Sequence, residues 1–220
     1  REHQRGLQPG RDTVPYEGLS LLDRWLLSRL ARLTDRVRES YDNYTLHSIY
    51  HAVHNFCTVD LSALYLDIVK DRIYVEHRDA RKRRASQTVI YETLIALVKL
   101  IAPVLSSTAD EMWSYLKDYV SEESVFLTRF PTADTALING AIEEKWERIW
   151  KIRELANKKI EEKRTAKEIG HSLDTKIIID APDEDYAALM ELDDELKDVF
   201  IVSQIEVRKA AGLDVTVVRA

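Results

Sequence analysis

Apolar residues recur at helical spacing through the first three quarters of the chain. Residues 20 to 41 hold the first such series. Ser20 and Asp23 are spaced there as a capping box, so we expect a helix that begins at this point. Its buried stripe is predicted to consist of Leu22, Trp25, Leu26, Leu30, Leu33 and Val37.

Four further helices follow from the same pattern. Thr45 is the expected cap of the second helix, and the third is expected to end before Pro103. Ser107 with Asp110 predicts the start of a short fourth helix. The fifth and longest is predicted over residues 141–165, with Gly170 as the terminating residue.

The stretch from Phe56 to Tyr74 is apolar on two sides and therefore predicts a helix at the centre of a bundle. We expect the second helix to run into it with a kink near Asp60 or Ser62. Charged residues are nevertheless spaced through it, and buried charges need partners. Either a polar network inside the bundle or a functional surface explains them: Asp60, Asp67, Lys70, Asp71 and Arg72.

After Gly170 the apolar period changes to that of strands. Residues 176–179, 200–207 and 213–218 are predicted strands, and residues 183–198 a helix between the first two. The predicted fold is thus mainly α, an antiparallel helical bundle followed by a small α+β subdomain of βαββ order. We predict a linker over residues 1–18, the bundle over 19–170 and the subdomain over 171–220.

The net charge of −6 is unusual for a nucleic-acid-binding protein, but the charge is unevenly distributed. Acidic residues dominate after Glu168, whereas Arg78–Arg84 and Lys145–Lys167 are rich in bases. The basic regions suit contact with phosphate. The chain shows no membrane span and no secretory pattern, and its single cysteine, Cys57, suits a reducing cytosol.

The predicted fifth helix carries the most distinctive polar residues. Arg153 and Asn157 fall on its apolar stripe, where a leucine would serve packing better. Arg153 is expected either to bridge to an aspartate of the central stretch or to face a ligand at the bundle edge. Trp150 lies off the stripe and is a candidate for stacking on a base. Arg81 and Arg84 are candidate phosphate contacts.

Three histidines, His47, His51 and His54, share one helix face. Such spacing can hold a metal, but no accompanying ligand motif is present, and a solvated polar face is the favoured interpretation. No glycine-rich phosphate loop or nucleophile elbow occurs in the sequence.

Several segments carry a resemblance to one family. The run FCTVDLSALYLDIVKDRIY, residues 56–74, resembles the anticodon-binding helical domain of bacterial-type isoleucyl-tRNA synthetases. Similar matches are Asp23-Arg24-Trp25, Thr108–Trp113, Arg153–Lys158 and Lys167–Leu173. The class I nucleotide motifs His-x-Gly-His and Lys-Met-Ser-Lys-Ser do not occur, so the likeness covers one region of the parent enzyme.

The resemblance implies that the chain binds the anticodon stem-loop of isoleucine tRNA, with the linker entering from an upstream catalytic region. It adds Arg153, Asn157, Lys158 and Lys167 as tRNA contacts beside Trp150, Arg81 and Arg84. Bases are expected to unstack into a cleft beside the fifth helix. The resemblance implies that this chain carries no catalytic residue and no metal, and that ATP and zinc bind elsewhere in the parent enzyme. It also implies a cytoplasmic monomer without a membrane or DNA partner.

Two rival functions are open at this point. One is a helical protein-interaction scaffold without ligand chemistry, which periodicity and composition cannot separate from an RNA-binding bundle. The other is a metal-dependent helical-bundle enzyme, which predicts a metal bound by His51 and His54.

Overall fold

The structure is a computed structural model that describes residues 7–170 and 172–220. It is mainly helical with a three-stranded sheet near the C-terminal end, which confirms the predicted fold class. Contacts divide the chain into two compact units that meet between Asn139 and Gly140. The long helix is thereby grouped with the sheet, whereas the sequence placed the boundary at residue 170. Residues 1–6 of the predicted linker lie outside the described residues.

The first unit is a helical bundle. Its α-helices are α1 Leu21–Asp42, α2 Leu46–Asn55, α3 Lys70–Tyr74, α4 Arg81–Ile101 and α5 Ser106–Ser114. A π-helix, Phe56–Leu66, lies between α2 and α3, and short 3-10 turns lie at Tyr16–Gly18, Val125–Leu127 and Thr135–Leu137. Among the described helices of both units, none combines the length and the apolar character that a membrane crossing needs.

The start of α1 follows the sequence prediction closely. The Ser20 hydroxyl accepts from the Asp23 backbone N–H at 3.3 Å, and the Asp23 carboxylate accepts from the Ser20 N–H at 3.2 Å. This reciprocal pair satisfies two N–H groups that have no partner inside the helix. The predicted stripe is buried in full: Leu22, Trp25, Leu26, Leu30, Leu33 and Val37.

Thr45 occupies the N-cap position of α2 as predicted, whereas the predicted start of the fourth helix at Ser107 with Asp110 was wrong. Thr45 precedes α2 but its hydroxyl donates to the Ser40 carbonyl at 3.3 Å, and its side chain makes no capping bond. The fourth helix begins at Ser106, without a side-chain cap, and Asp110 instead accepts a hydrogen bond from the Ser124 hydroxyl at 2.6 Å. α5 therefore begins without the predicted capping box.

The central stretch is a π-helix where a kink was expected. Its widened turns bring Phe56, Asp60 and Tyr65 into the interior. The Tyr65 hydroxyl donates to Asp23 at 2.6 Å, and Arg29 pairs with Asp60 at 3.1 Å. The buried charges therefore form a polar network inside the bundle, as one of the two predicted alternatives required.

The outer charges of the same stretch face solvent. Lys70 pairs with Asp67 at 2.7 Å on the surface, and Asp71 is exposed. Arg72 in contrast is buried, and its guanidinium donates to the Ser20 hydroxyl at 3.4 Å. Position on the helix decides which of these charges joins the network.

The second unit combines a long helix with a small sheet. It contains α6 Gly140–Thr165, β1 Thr175–Ala181, α7 Asp183–Met190, α8 Leu196–Phe200, β2 Gln204–Lys209 and β3 Asp214–Arg219, with short 3-10 turns at Ser172–Asp174 and Asp193–Glu195. The sheet order is β2-β1-β3. β1 pairs with β2 in parallel, Lys176 opposite Gln204, and with β3 antiparallel, Thr175 opposite Arg219.

The predicted single helix over residues 183–198 and the strand beginning at Phe200 were wrong in detail. The 3-10 turn Asp193–Glu195 divides the helix into α7 and α8, and Phe200 is the last residue of α8. β1 forms the buried centre of the sheet, since Ile177, Ile179 and Ala181 are inaccessible. The parallel β1–β2 pair needs the helical crossover that α7 and α8 supply.

Candidate nucleic-acid interface

The inward face of α6 is apolar, as its sequence predicts. Trp146, Ile149, Ala156 and Ile160 are buried, and Ile152 joins them. Asn157 was predicted to lie on this stripe but is exposed. It therefore belongs to the solvent face of the helix together with Lys158, which is also exposed.

Arg153 is the exception on the buried face. Arg153 is only 8% exposed, and its Nε donates a hydrogen bond to the carbonyl oxygen of Val199 at 2.7 Å. Val199 lies in the last turn of α8, where carbonyl groups lack partners within the helix. A cation at this end also opposes the negative end of the helix dipole.

Two other carbonyls of that turn accept hydrogen bonds from backbone donors. Ile201 adopts a left-handed conformation with φ of 53°, and its N–H donates to the Asp198 carbonyl at 3.2 Å. The Val202 N–H donates to the Lys197 carbonyl at 3.3 Å. Arg153 thus completes the C-terminal cap of α8. This placement assigns it a role in holding the unit together and takes it out of our set of RNA contacts.

Most cations in the first half of α6 are paired within the second unit. Arg148 contacts Glu184 at 2.8 Å, and Lys145 pairs with Glu191. Towards the end of the helix, Lys163 pairs with Glu168 and Arg164 with Glu161. The acidic residues of the C-terminal region therefore neutralise a large part of the basic face that the sequence suggested.

Asn157, Lys158 and Lys167 remain available for a ligand. All three are exposed, and no described residue forms an ion pair or side-chain hydrogen bond with them. Asn157 and Lys158 lie about two turns before the end of α6. They offer an amide and an ammonium group, which suit a base edge and a phosphate respectively.

Lys167 occupies a special backbone position. Helix α6 ends at Thr165 as predicted, but the left-handed residue that follows it is Lys167, with a φ of 58°, and not the expected Gly170. The Lys167 N–H donates to the Arg164 carbonyl at 3.0 Å and the Glu168 N–H to the Lys163 carbonyl at 3.0 Å. These two bonds define a Schellman cap, whose left-handed position usually holds glycine.

Trp150 is half-buried and its ring stacks on that of Trp146, with centroids 4.5 Å apart and planes inclined by 29°. One face of the indole is therefore already covered by a core residue. The contact leaves less of Trp150 for base stacking than its position off the stripe suggested.

The Arg78–Arg84 cluster, in the first unit, divides into structural and exposed members. Arg84 is only 7% exposed and contacts Asp79 at 3.1 Å, Gln87 at 3.0 Å and Asp12 at 3.6 Å. These contacts give Arg84 a structural role within the bundle. Arg81 is exposed, its guanidinium lies against Gly18, and no ion pair joins it to a residue in the described ranges.

His51 and His54 both contact the ring of Tyr50, with centroids 5.3 and 5.6 Å away. Within residues 7–170 and 172–220, no three histidine, cysteine or acidic side chains are grouped in a way that could hold a metal ion.

Comparison with known proteins places this mainly helical chain in a family. Residues 23–179 match the family described as the anticodon-binding domain of tRNA ligase. The chain belongs to this family. The matched range includes α1 from Asp23 onwards, α2 to α5, α6 and Lys167, and it favours RNA binding over the protein-interaction scaffold.

Three similar relatives are isoleucine–tRNA ligases. The chain is 45% identical to the isoleucine–tRNA ligase of Brevibacillus brevis over 209 residues, which are 94% of this chain and 22% of the relative. Identity is 41% to the ligase of Natranaerobius thermophilus, over 95% of this chain, and 42% to that of Moorella thermoacetica, over 91%. The chain therefore spans about a fifth of the length of these relatives, 22% in each case.

Proposed function

We propose that this anticodon-binding domain recognises the anticodon stem-loop of isoleucine tRNA as part of an isoleucine–tRNA ligase. The observation that supports it most directly is the group of exposed donors without described partners at the end of α6, Asn157, Lys158 and Lys167. The similarity to isoleucine–tRNA ligases is the reason for proposing isoleucine tRNA in particular. ATP-dependent ligation, and the ATP and zinc that accompany it, belong to other parts of such a parent.

In this proposal, loop bases unstack towards the exposed side of α6. Asn157 offers donor and acceptor groups to a base edge, because an amide can form two complementary hydrogen bonds. Lys158 and Lys167 hold phosphates on either side, and Arg81 adds a phosphate contact on the first unit. Arg153 contributes indirectly, since it fixes α8 beneath the helix that carries these groups.

A binding comparison tests the function. Filter binding at low salt is measured with isoleucine tRNA, with a non-cognate tRNA, and with a hairpin carrying only the isoleucine anticodon stem-loop. We expect the isoleucine tRNA and its hairpin to bind more tightly than the non-cognate tRNA. Equal, negligible binding to all three RNAs would contradict the proposal.

Two variants locate the contact. Lys158→Gln and Lys167→Gln each remove one charge, and each is expected to reduce the slope of log affinity against log salt by about 1. Lys151→Gln is the matched control, because Lys151 is also exposed on α6 without an ion pair to any described residue. An equal reduction of this slope in all three variants would indicate general charge attraction and not a specific binding site.

We further infer that this chain is a cytoplasmic monomer. The single cysteine requires no disulfide, and burial of Cys57 raises the pKa of its thiol, so the reactive thiolate is disfavoured. Light scattering of the purified chain tests the monomeric state, and a concentration-dependent mass would contradict it.

A further inference from the structure

A cavity of about 300 Å³ lies in the first unit between α1 and the helix that runs from α2 into the π-helix. Arg29, Arg32 and Arg36 line one side and, at spacings of three and four residues, share one face of α1. The opposite side carries His51, Asn55 and Asp60. None of the anticodon contacts proposed above lines this cavity.

The charge of the lining is positive. Asp60 is buried, its side chain only 8% exposed, and Arg29 pairs with it at 3.1 Å, so these two charges offset each other. Three guanidinium groups against one carboxylate leave a formal charge of +2 with His51 neutral. Arg36 is exposed, and its guanidinium has no ion pair with any residue in the described ranges. Such a cavity favours an anion.

The size of the cavity and the chemistry of its lining indicate which kind of anion it would bind. A guanidinium group matches the oxygens of a phosphate with two parallel hydrogen bonds. About 300 Å³ is more than one carboxylate group fills and is the lower end for small organic ligands. His51 and Asn55 offer both donors and acceptors, which suit ribose hydroxyls, and Leu33 and Ala52 form an apolar surface for the sugar ring.

We propose that this cavity is a second RNA-binding site, which holds one backbone phosphate and its adjoining ribose. Arg32 and Arg36 hold the phosphate, and His51 and Asn55 face the ribose. The inference rests on the proposed function in that RNA is the partner, but it concerns residues of the first unit only. The π-helix contributes by placing Asp60 where it orients Arg29 at the inner end of the cavity.

A small probe tests the cavity without tRNA. Arginine side-chain Nε–H resonances of the chain are followed by NMR while adenosine 5′-monophosphate, adenosine or acetate is added. We expect the monophosphate to shift the Arg32 and Arg36 signals saturably, adenosine to shift them less, and acetate to bind several-fold more weakly than the monophosphate. Equal shifts at Arg38, which lies on α1 outside the cavity, would overturn the proposal.

Acetate as effective as the monophosphate would also overturn it and would indicate an acidic protein segment as the occupant. Arg36→Gln should abolish saturation by the monophosphate, whereas Arg38→Gln should leave it unchanged. Both arginines are exposed, so neither change threatens the fold.

A tRNA titration separates this inference from the proposed function. With isoleucine tRNA, Arg36→Gln is expected to lower the salt slope by about 1, and its effect should add to that of Lys167→Gln. If the salt slope falls with Lys167→Gln but not with Arg36→Gln, the anticodon proposal stays intact and the second site is overturned. If the slope falls with Arg36→Gln but not with Lys167→Gln, the second site is supported and the anticodon contacts are contradicted.

Discussion

At the scale of single residues, Lys167 combines an unfavourable backbone with an exposed cationic side chain. A non-glycine residue in the left-handed region costs about 1 kcal/mol or more, because its Cβ crowds the neighbouring carbonyl. Lys167 occupies the Schellman position all the same. Strain retained at one position points to a role for the side chain, which here is the contact with RNA phosphate proposed above.

Replacing Lys167 by glycine should therefore separate stability from binding. Lys167→Gly is expected to stabilise the chain by up to about 1 kcal/mol, since glycine adopts the left-handed conformation without strain. The same change should weaken binding of isoleucine tRNA, because the ammonium group is lost. Urea denaturation measures the first effect and filter binding the second.

Lys167→Ala is the control for this pair of effects. Alanine retains the Cβ and so retains the strain, but it lacks the charge. We expect weaker RNA binding with little change in stability. A glycine variant that binds RNA as tightly as the unmodified chain would show that Lys167 makes no contact.

Tyr65 is a second residue whose surroundings have a measurable consequence. Its hydroxyl is buried against Asp23, and burial together with the negative charge of Asp23 raises the pKa of Tyr65 well above its usual range. Above pH 10 the unfolded chain releases this phenolic proton while the folded chain keeps it. The contribution of Tyr65 to stability should therefore be constant below pH 10 and should fall with rising pH above it.

Tyr65→Phe should reveal this titration. At pH 7 the variant is expected to lose about 1.5–3 kcal/mol, because Asp23 loses a buried donor. Above pH 10 the difference from the unmodified chain should narrow by as much as about 1.4 kcal/mol per pH unit. Chemical denaturation at pH 7, 10 and 11 measures it, with the exposed Tyr44→Phe as control. A difference independent of pH would contradict the assignment.

At the scale of elements, α8 depends on a residue from another helix. With five residues it cannot stabilise itself, and three of its carbonyls accept hydrogen bonds from Ile201, Val202 and Arg153. Arg153 thereby links the middle of α6 to the crossover between β1 and β2. Removing its guanidinium group leaves a buried carbonyl without that donor.

Arg153→Met is expected to destabilise the chain by about 2–4 kcal/mol through the lost hydrogen bond and lost cap. Methionine retains the apolar stem, so a cavity is not the cause. Thermal unfolding followed by circular dichroism measures the change, with Glu154→Met on the exposed face as control. Unchanged stability together with weaker tRNA binding would instead restore Arg153 as a direct RNA contact.

The comparison of sequence and structure is most instructive for these same elements. The capping box of α1 and its stripe were predictable because both depend on residues within one helix. Arg153 and Asn157 have equivalent positions in the helical period, yet one is buried and the other exposed. That difference depends on the packing of α8 against α6, which no periodicity encodes.

The site was predictable to a similar degree. Asn157, Lys158 and Lys167 were identified through family resemblance, and the structure leaves them exposed. Arg84 could not be distinguished from Arg81 by sequence, because its partners Asp79 and Asp12 lie outside the helices, where no periodicity predicts a contact. The cavity beside Arg36 was missed altogether. The spacing of Arg29, Arg32 and Arg36 was the signal that could have indicated it.

At the scale of the whole molecule, a net charge of −6 does not prevent RNA binding but limits it. Many of the acidic residues are used internally, as the pairs of Arg148 with Glu184 and Lys209 with Asp183 show. The hydrogen bonds from Lys176 and Arg208 likewise lower the pKa of Glu206, so this carboxylate stays ionised and engaged within the sheet. Long-range repulsion is screened by salt, whereas close phosphate contacts release counterions and weaken as salt rises.

These two effects predict a salt dependence set by local contacts. Lys158, Lys167 and Arg81 provide three cationic phosphate contacts, which correspond to a slope of about −2 in log affinity against log salt. If Arg32 and Arg36 hold a further phosphate, the slope should steepen to about −3. Filter binding of isoleucine tRNA from 50 to 300 mM potassium chloride measures it. A slope near zero would mean that the net negative charge governs the encounter and that these side chains do not meet phosphate at all.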